Sequence, residues 1–131
     1  MENILSNRII LVVDDDDVVR KEVSEYFANS CNSKVIQACN GKDGVNKFKE
    51  HGGIDIVLTD LQMSPMNGLE MIQAIKDEFP STQAIFSILS TEKGKEHRDL
   101  TRSLGIAIWK LKPFEGASLE KAYSVLLNRA K

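Results

Sequence analysis

Ile9-Ile10-Leu11-Val12-Val13 runs directly into Asp14-Asp15-Asp16-Asp17, and this stretch decides the fold. An apolar run this short, rich in β-branched residues and without polar alternation, is the pattern of a strand buried on both faces of a parallel sheet. Four more apolar runs follow: Val35-Ile36, Ile54-Asp55-Ile56-Val57-Leu58, Ala84-Ile85-Phe86-Ser87-Ile88-Leu89 and Ile106-Ala107-Ile108-Trp109-Lys110-Leu111. The intervals between them carry helical stripes. Val19, Val23 and Phe27 form one, and Val45 with Phe48 a weaker second. Leu69, Ile72 and Ile75 form a third that stops near Pro80, and Leu119, Ala122, Tyr123 and Leu126 form the last. The stretch from Lys93 to Leu104 has only Leu100 and Leu104 as large apolar residues, which predicts a weakly anchored helix. Strand and helix alternating through five rounds predict an α/β protein with a doubly wound, five-stranded parallel sheet. In such sheets ligands sit outside the carboxyl ends of the strands, so the residues that end each run are the ones to inspect.

The bulk numbers narrow the function classes. The 131 residues fit one domain, 1–131, with a core of about 8–130. A 42% hydrophobic and 27% charged composition is that of a globular protein. The net charge of −2 supplies no basic field, so direct nucleic-acid binding is not expected. The run Ile9 to Val13 is far shorter than the roughly 20 residues that span a bilayer, and Met1-Glu2-Asn3 lacks the basic start of a signal peptide. No membrane association and a cytoplasmic location are expected. Cys31 and Cys39 form no disulfide framework and read as two reduced thiols. His51 and His97 have no partner at metal-ligand spacing and read as helix-surface residues.

The strand ends collect one kind of chemistry. The first run ends in Asp14–Asp17, the third in Thr59-Asp60, the fourth in Ser90-Thr91 and the fifth in Lys112-Pro113. One or two aspartates after a strand are accounted for by capping the next helix, a role that falls to Asp16 or Asp17. Four exceed that need, since like charges near 4 Å repel by about 1 kcal/mol in water and about 4 kcal/mol at an effective dielectric of 20. A divalent cation would offset the repulsion, and hard oxygen ligands suit Mg²⁺. A solvated acidic loop with no ion is the competing reading. Asp60 closes a hydrophobic strand, where a carboxylate is costly unless paired, and a carboxylate can act as a nucleophile toward phosphorus. Transfer of a phosphoryl group needs positive charge and donors around it, which Lys112 and either Ser90 or Thr91 would provide.

The ordered set Val12-Val13-Asp14-Asp15-Asp16, Asp60-Leu61-Gln62-Met63, Met66-Asn67-Gly68-Leu69-Glu70, Ser90-Thr91, Gly105 and Lys112-Pro113-Phe114 resembles the receiver domains of two-component response regulators. It covers nearly the whole chain. The resemblance implies a flavodoxin-like fold with strand order 2-1-3-4-5. It implies that Asp60 is the phosphoacceptor, with Mg²⁺ (or Mn²⁺) ligated by Asp15, Asp60 and the backbone carbonyl of Gln62, and by Asp14 mainly through water. Ser90 would be the switch hydroxyl with Thr91 as its nearest rival, Lys112 would contact the phosphoryl group, and the Lys112–Pro113 bond would be cis. Trp109 stands where the family often has Tyr or Phe and would change exposure on activation; its only polar handle is an N–H donor. Gln62 and Glu92 occupy the positions that tune phosphoryl lifetime. The loop Met63-Ser64-Pro65-Met66-Asn67-Gly68 has its proline displaced by one from the family's usual place.

The implied partners are a histidine kinase or phosphotransfer protein upstream, and an effector on the face of the fourth helix, fifth strand and fifth helix. The implied role is a phosphorylated signalling switch with at most slow self-dephosphorylation, not a dedicated enzyme. Two other readings compete. A degenerate receiver would act only as a protein-interaction module. A haloacid-dehalogenase-like phosphatase needs Asp-x-Asp-x-Thr after the first strand, and this chain has Val18 at the last position.

Overall fold

The computed structural model describes residues 3–129; Met1, Glu2, Ala130 and Lys131, at the ends of the expected 1–131 domain, lie outside the described residues. Strands β1 (Ile9–Val13), β2 (Lys34–Ala38), β3 (Ile56–Thr59), β4 (Ile85–Ser90) and β5 (Ile108–Leu111) alternate with helices. The helices are α1 (Asp17–Ser30), α2 (Gly41–Glu50), α3 (Gly68–Glu78), α4 (Arg98–Ser103) and α5 (Gly116–Arg129). All four strand pairings are parallel and the sheet order is β2-β1-β3-β4-β5. The chain therefore reverses direction across the sheet between β1 and β3, whose carboxyl ends carry Asp14 and Asp60.

Residue alternation along each strand splits the core in two. Leu11, Val13, Val57, Phe86 and Ile88 pack on one face against Phe48, Leu69, Ile72 and Ile75 of α2 and α3. Ile10, Val12, Ile56, Leu58 and Leu89 pack on the other against Val23 and Phe27 of α1 and Leu119, Tyr123 and Leu127 of α5. A polar pair inside that second layer is satisfied: the Ser87 hydroxyl donates to the Val57 carbonyl (2.8 Å) and meets the Tyr123 hydroxyl at 2.6 Å.

Three expectations need correction. The Lys93–Leu104 stretch is not one helix. A 3₁₀ turn (Gly94–His97) precedes a six-residue α4, and neither contains a buried residue. Leu104 is buried, but Leu100 is 42% exposed, so one anchor holds this segment where two were counted. On α5 it is Leu127, not Leu126, that is buried with Leu119 and Tyr123, because the helix contacts the sheet at intervals of four. The core also begins before residue 8. Leu5 is 0% exposed and packs with Phe27, Cys31 and Leu127. Its carbonyl accepts from Ser33 Oγ (2.8 Å), and Asn3 Nδ2 donates to Glu120 on α5 (2.9 Å). Leu5→Ala is expected to destabilise the fold by about 2–5 kcal/mol; an unchanged urea midpoint would show that this segment only rests on the surface.

Candidate functional site

Backbone pairing brings the strand ends to one edge. Asp14 N–H donates to the Ala38 carbonyl (3.2 Å), and Asp60 N–H donates to the Val13 carbonyl (2.9 Å), so each acid is held one step past its ladder. Lys112 N–H donates to the Ser90 carbonyl (2.8 Å), which fixes the end of β5 beside the end of β4. The Lys112–Pro113 bond is cis, and Ser64–Pro65 in the displaced-proline loop is cis as well. That loop closes on α3 through a capping box: Asn67 Oδ1 accepts from Glu70 N–H (2.8 Å) and Glu70 Oε1 accepts from Asn67 N–H (3.0 Å).

The four consecutive acids take separate roles. Asp16 is the N-cap of α1, accepting from Val18 N–H (2.9 Å) and Val19 N–H (3.2 Å). Asp17 begins the helix and pairs with Arg20 (2.6 Å). Asp14 is buried, and its Oδ1 accepts from Asp16 N–H (2.9 Å). Asp15 is exposed. One carboxylate oxygen each from Asp14, Asp15 and Asp60 lies within 4.8 Å of the others. Lys112 Nζ sits 3.4 Å from Asp14 Oδ2 and 3.4 Å from Asp60 Oδ1.

Burial pushes the Asp60 carboxyl up, and the Asp14 charge pushes the same way; the Lys112 ammonium and the Leu61 N–H, bonded to Oδ1 at 2.8 Å, oppose them without cancelling them. Asp14 is likewise raised by burial against the Asp16 N–H bond and Lys112. Burial pulls Lys112 down, but the charges of Asp14 and Asp60 more than offset it, and its net shift is upward. One ammonium therefore leaves two buried carboxylates and a third at the rim undercompensated. An all-oxygen cluster open to solvent on the Asp15 side fits a small hard cation such as Mg²⁺ or Mn²⁺.

The raised carboxyls set the pH dependence of the metal-free protein. Their folded pKa values exceed the unfolded ones, so the unfolded chain releases those protons first as pH rises. The stability tied to protonated Asp14 and Asp60 is full below the ordinary aspartate range and is lost as pH climbs through the folded values. Lys112 contributes in the opposite range, losing its share only above the ordinary lysine value. Metal-free Asp60→Asn is thus expected to be more stable than wild type at neutral pH, because the amide carries no charge to bury beside Asp14. Urea melts should show that gain shrinking as pH falls toward about 4. A gain that stays constant with pH would contradict the electrostatic account.

The remaining expected residues are distributed unevenly. Ser90 is buried at the end of β4, and its hydroxyl accepts from Glu92 N–H (3.0 Å). Thr91 is exposed, so the burial separates the two candidate hydroxyls. Gln62, on the loop after Asp60, donates from Nε2 to Glu92 Oε2 (2.7 Å). Trp109 uses its single polar handle: Nε1 donates to the Glu92 carbonyl (2.8 Å). His97, expected as a helix-surface residue, ends the 3₁₀ turn and stacks on Trp109 at 5.9 Å between centroids. Arg20 joins this edge as well, paired with Asp17 at the i,i+3 spacing that the sequence itself displays. A cavity of about 600 Å³ lined by Arg8, Phe48, Phe79 and Asp55 lies at the opposite, amino-terminal edge, away from the acids.

The profile described as "Response regulator receiver domain" matches residues 10–124. The chain is 37% identical over 95 residues to the autoinducer 1 sensor kinase/phosphatase LuxN of Vibrio campbellii, covering 72% of this chain but 11% of that protein. The chain thus spans about a tenth of the length of that relative. It is 24% identical over 119 residues to the chemotaxis protein CheY1 of Helicobacter pylori, covering 91% of this chain and 96% of the relative. The fold superposes on the Vibrio cholerae chemotaxis protein CheY4 with a TM-score of 0.83 at 24% identity, covering 92% and 98% of the two chains.

Proposed function

Because the chain belongs to the response regulator receiver domain family of two-component signalling, we propose that Asp60 accepts a phosphoryl group from the phosphohistidine of a histidine kinase or phosphotransfer protein. The observation that carries this reading is the Lys112 ammonium at 3.4 Å from both Asp14 and Asp60, with Asp15 completing an acidic cluster around the acceptor. In the transfer, an Asp60 carboxylate oxygen bonds to phosphorus as the phosphorus–nitrogen bond breaks, and the imidazole leaves with the bonding pair. Lys112 stands where it neutralises charge on the transferred oxygens. The Ser90 hydroxyl, at the adjacent strand end, turns from its bond with Glu92 N–H to donate to the new phosphoryl group. Asp14, Asp15, Asp60 and the Gln62 carbonyl would hold Mg²⁺ or Mn²⁺, which when bound supplies further positive charge to the phosphoryl oxygens.

Phosphorylation adds charge and acceptor oxygens at the sheet edge. The segment best able to respond is the 3₁₀ turn and α4, which have no buried residue and are joined to the site through Glu92 and Trp109. A face of α4, β5 and α5 exposing Leu100, Leu111 and Val125 would then meet an effector protein. Moving the population from 1:99 to 99:1 takes about 5.5 kcal/mol of differential interaction, within reach of a few charge-assisted contacts.

The test is incubation with a small acyl-phosphate donor, with and without Mg²⁺, read by intact mass. The expected result is one phosphoryl group, dependent on the cation. A chain that neither binds Mg²⁺ nor gains mass would be an interaction module instead, and steady turnover of a generic phosphomonoester would make it a phosphatase.

A further inference from the structure

We infer that Arg20 is a positioning residue for the divalent-cation site, with Asp17 as its counter-ion; this rests on the reading of the site proposed above. Three of its donors reach three elements. Nη1 donates to the backbone carbonyl of Asp14 (2.8 Å), Nη2 to Asp17 Oδ1 (2.6 Å) and Nε to Gln37 Oε1 on β2 (3.2 Å). The Arg20 side chain is only 17% exposed, although its partner Asp17 is largely solvated. A planar guanidinium serves these three acceptors from three separate nitrogens with fixed N–H directions, whereas an ammonium carries all its donors on one nitrogen.

The contact that matters is the one to the Asp14 carbonyl. β1 ends at Val13, so this carbonyl lies past the last strand residue. It also belongs to the peptide plane that joins Asp14 to Asp15. Holding that plane fixes ψ of Asp14 and φ of Asp15, and with them the direction in which the Asp15 side chain leaves the loop. Asp14 is then fixed through its N–H by Ala38, through its carbonyl by Arg20 and through its carboxylate by Asp16 N–H. Asp15, exposed at the rim, depends on that peptide plane to stay within reach of Asp14 and Asp60. Asp17 cancels the charge of Arg20, so the pair supplies geometry without adding a positive field beside a cation. The fourth acid of the run thereby has a task that neither capping nor ligation gives it.

Charge and geometry predict opposite signs, which makes the inference testable. A positive side chain acting only through its field weakens cation binding, so its removal would tighten it. A side chain acting through the peptide plane strengthens binding, so its removal weakens it. The experiment titrates the full-length protein with Mn²⁺, following free Mn²⁺ by electron paramagnetic resonance, with thermal unfolding recorded on the same samples. Folded Arg20→Gln is expected to bind Mn²⁺ roughly 10–100-fold more weakly, the usual size of an outer-shell loss, and Arg20→Lys to fall between it and wild type. A role confined to stability would lower the melting temperature and leave the affinity of the folded protein unchanged. Equal or tighter Mn²⁺ binding by folded Arg20→Gln overturns the inference and leaves the site reading intact. Absence of binding by wild type overturns both. Should Arg20→Gln not fold, Arg20→Lys decides by the same criterion, weaker binding supporting the inference and wild-type binding overturning it.

Discussion

Asp60→Asn is expected to bring phosphoryl incorporation from a small acyl-phosphate donor down to background, a loss of at least about 100-fold, because the amide cannot attack phosphorus. The substitution is nearly isosteric. The Asn carbonyl oxygen can still accept from Leu61 N–H, the bond that Oδ1 makes at 2.8 Å. The backbone bond from residue 60 to the Val13 carbonyl is untouched. Loss of labelling therefore cannot be assigned to unfolding, and the same variant should be no less stable than wild type without metal. Intact-mass measurement after incubation with donor and Mg²⁺ checks the claim. Labelling that persists at the wild-type level, or that moves in peptide maps to Asp14 or Asp15, would remove Asp60 from the centre of the reaction.

Gly68→Ala should cost about 2–3 kcal/mol of stability, a packing effect of the overfilled-core kind. Gly68 opens α3 directly behind the acceptor, and an added Cβ would overlap the Asp60 carbonyl oxygen and stand 3.1 Å from Thr59 Cγ2. Neither neighbour can give way cheaply. Asp60 is fixed by its N–H bond to Val13, and Gly68 by its own N–H bond to the Leu61 carbonyl (2.9 Å). Gly44→Ala supplies the contrast, since its added Cβ would press on the Met71 sulfur and stand 3.2 Å from Val13 Cγ2, buried side chains rather than a backbone carbonyl; a smaller cost of about 1–2 kcal/mol is expected there. Urea midpoints at constant slope compare the two. If both variants melt with wild type, the close approach of α3 to the acceptor strand is not a constraint on the fold.

Much of this was legible in the chain itself. Ile9–Val13 and Ile54–Leu58 are apolar at every pleat but one, and only a sheet covered on both faces accommodates that, so the doubly wound architecture followed from residue type. The ends of those runs carry Asp14, Asp15, Asp60, Ser90 and Lys112, and parallel strands necessarily bring their carboxyl ends to one edge. What the pattern misjudged depended on balances that local sequence does not hold. Lys93–Leu104 carried a weak helical pattern but broke into a 3₁₀ turn and a short α4, because a helix this poor in apolar residues takes its form from what it packs against. Leu5 lies before the expected core of about 8–130, yet it packs among residues of α1, β2 and α5 that come together only once those elements are assembled.

The sequence by itself determined the strand count, the parallel sense and the chemical types present at the reacting edge, because burial on two faces and the period of each helix are written in consecutive residues. Only the tertiary structure settled that Asp16 rather than Asp17 caps α1 and brought Asp14 and Asp15 within reach of Asp60. It also placed Lys112 between two carboxylates and tied Trp109 to Glu92. The reason is distance along the chain. Asp16 and Asp17 find their partners within α1, but Asp14 and Asp15 meet Asp60 and Lys112 only once β3 and β5, tens of residues away, come to the same sheet edge.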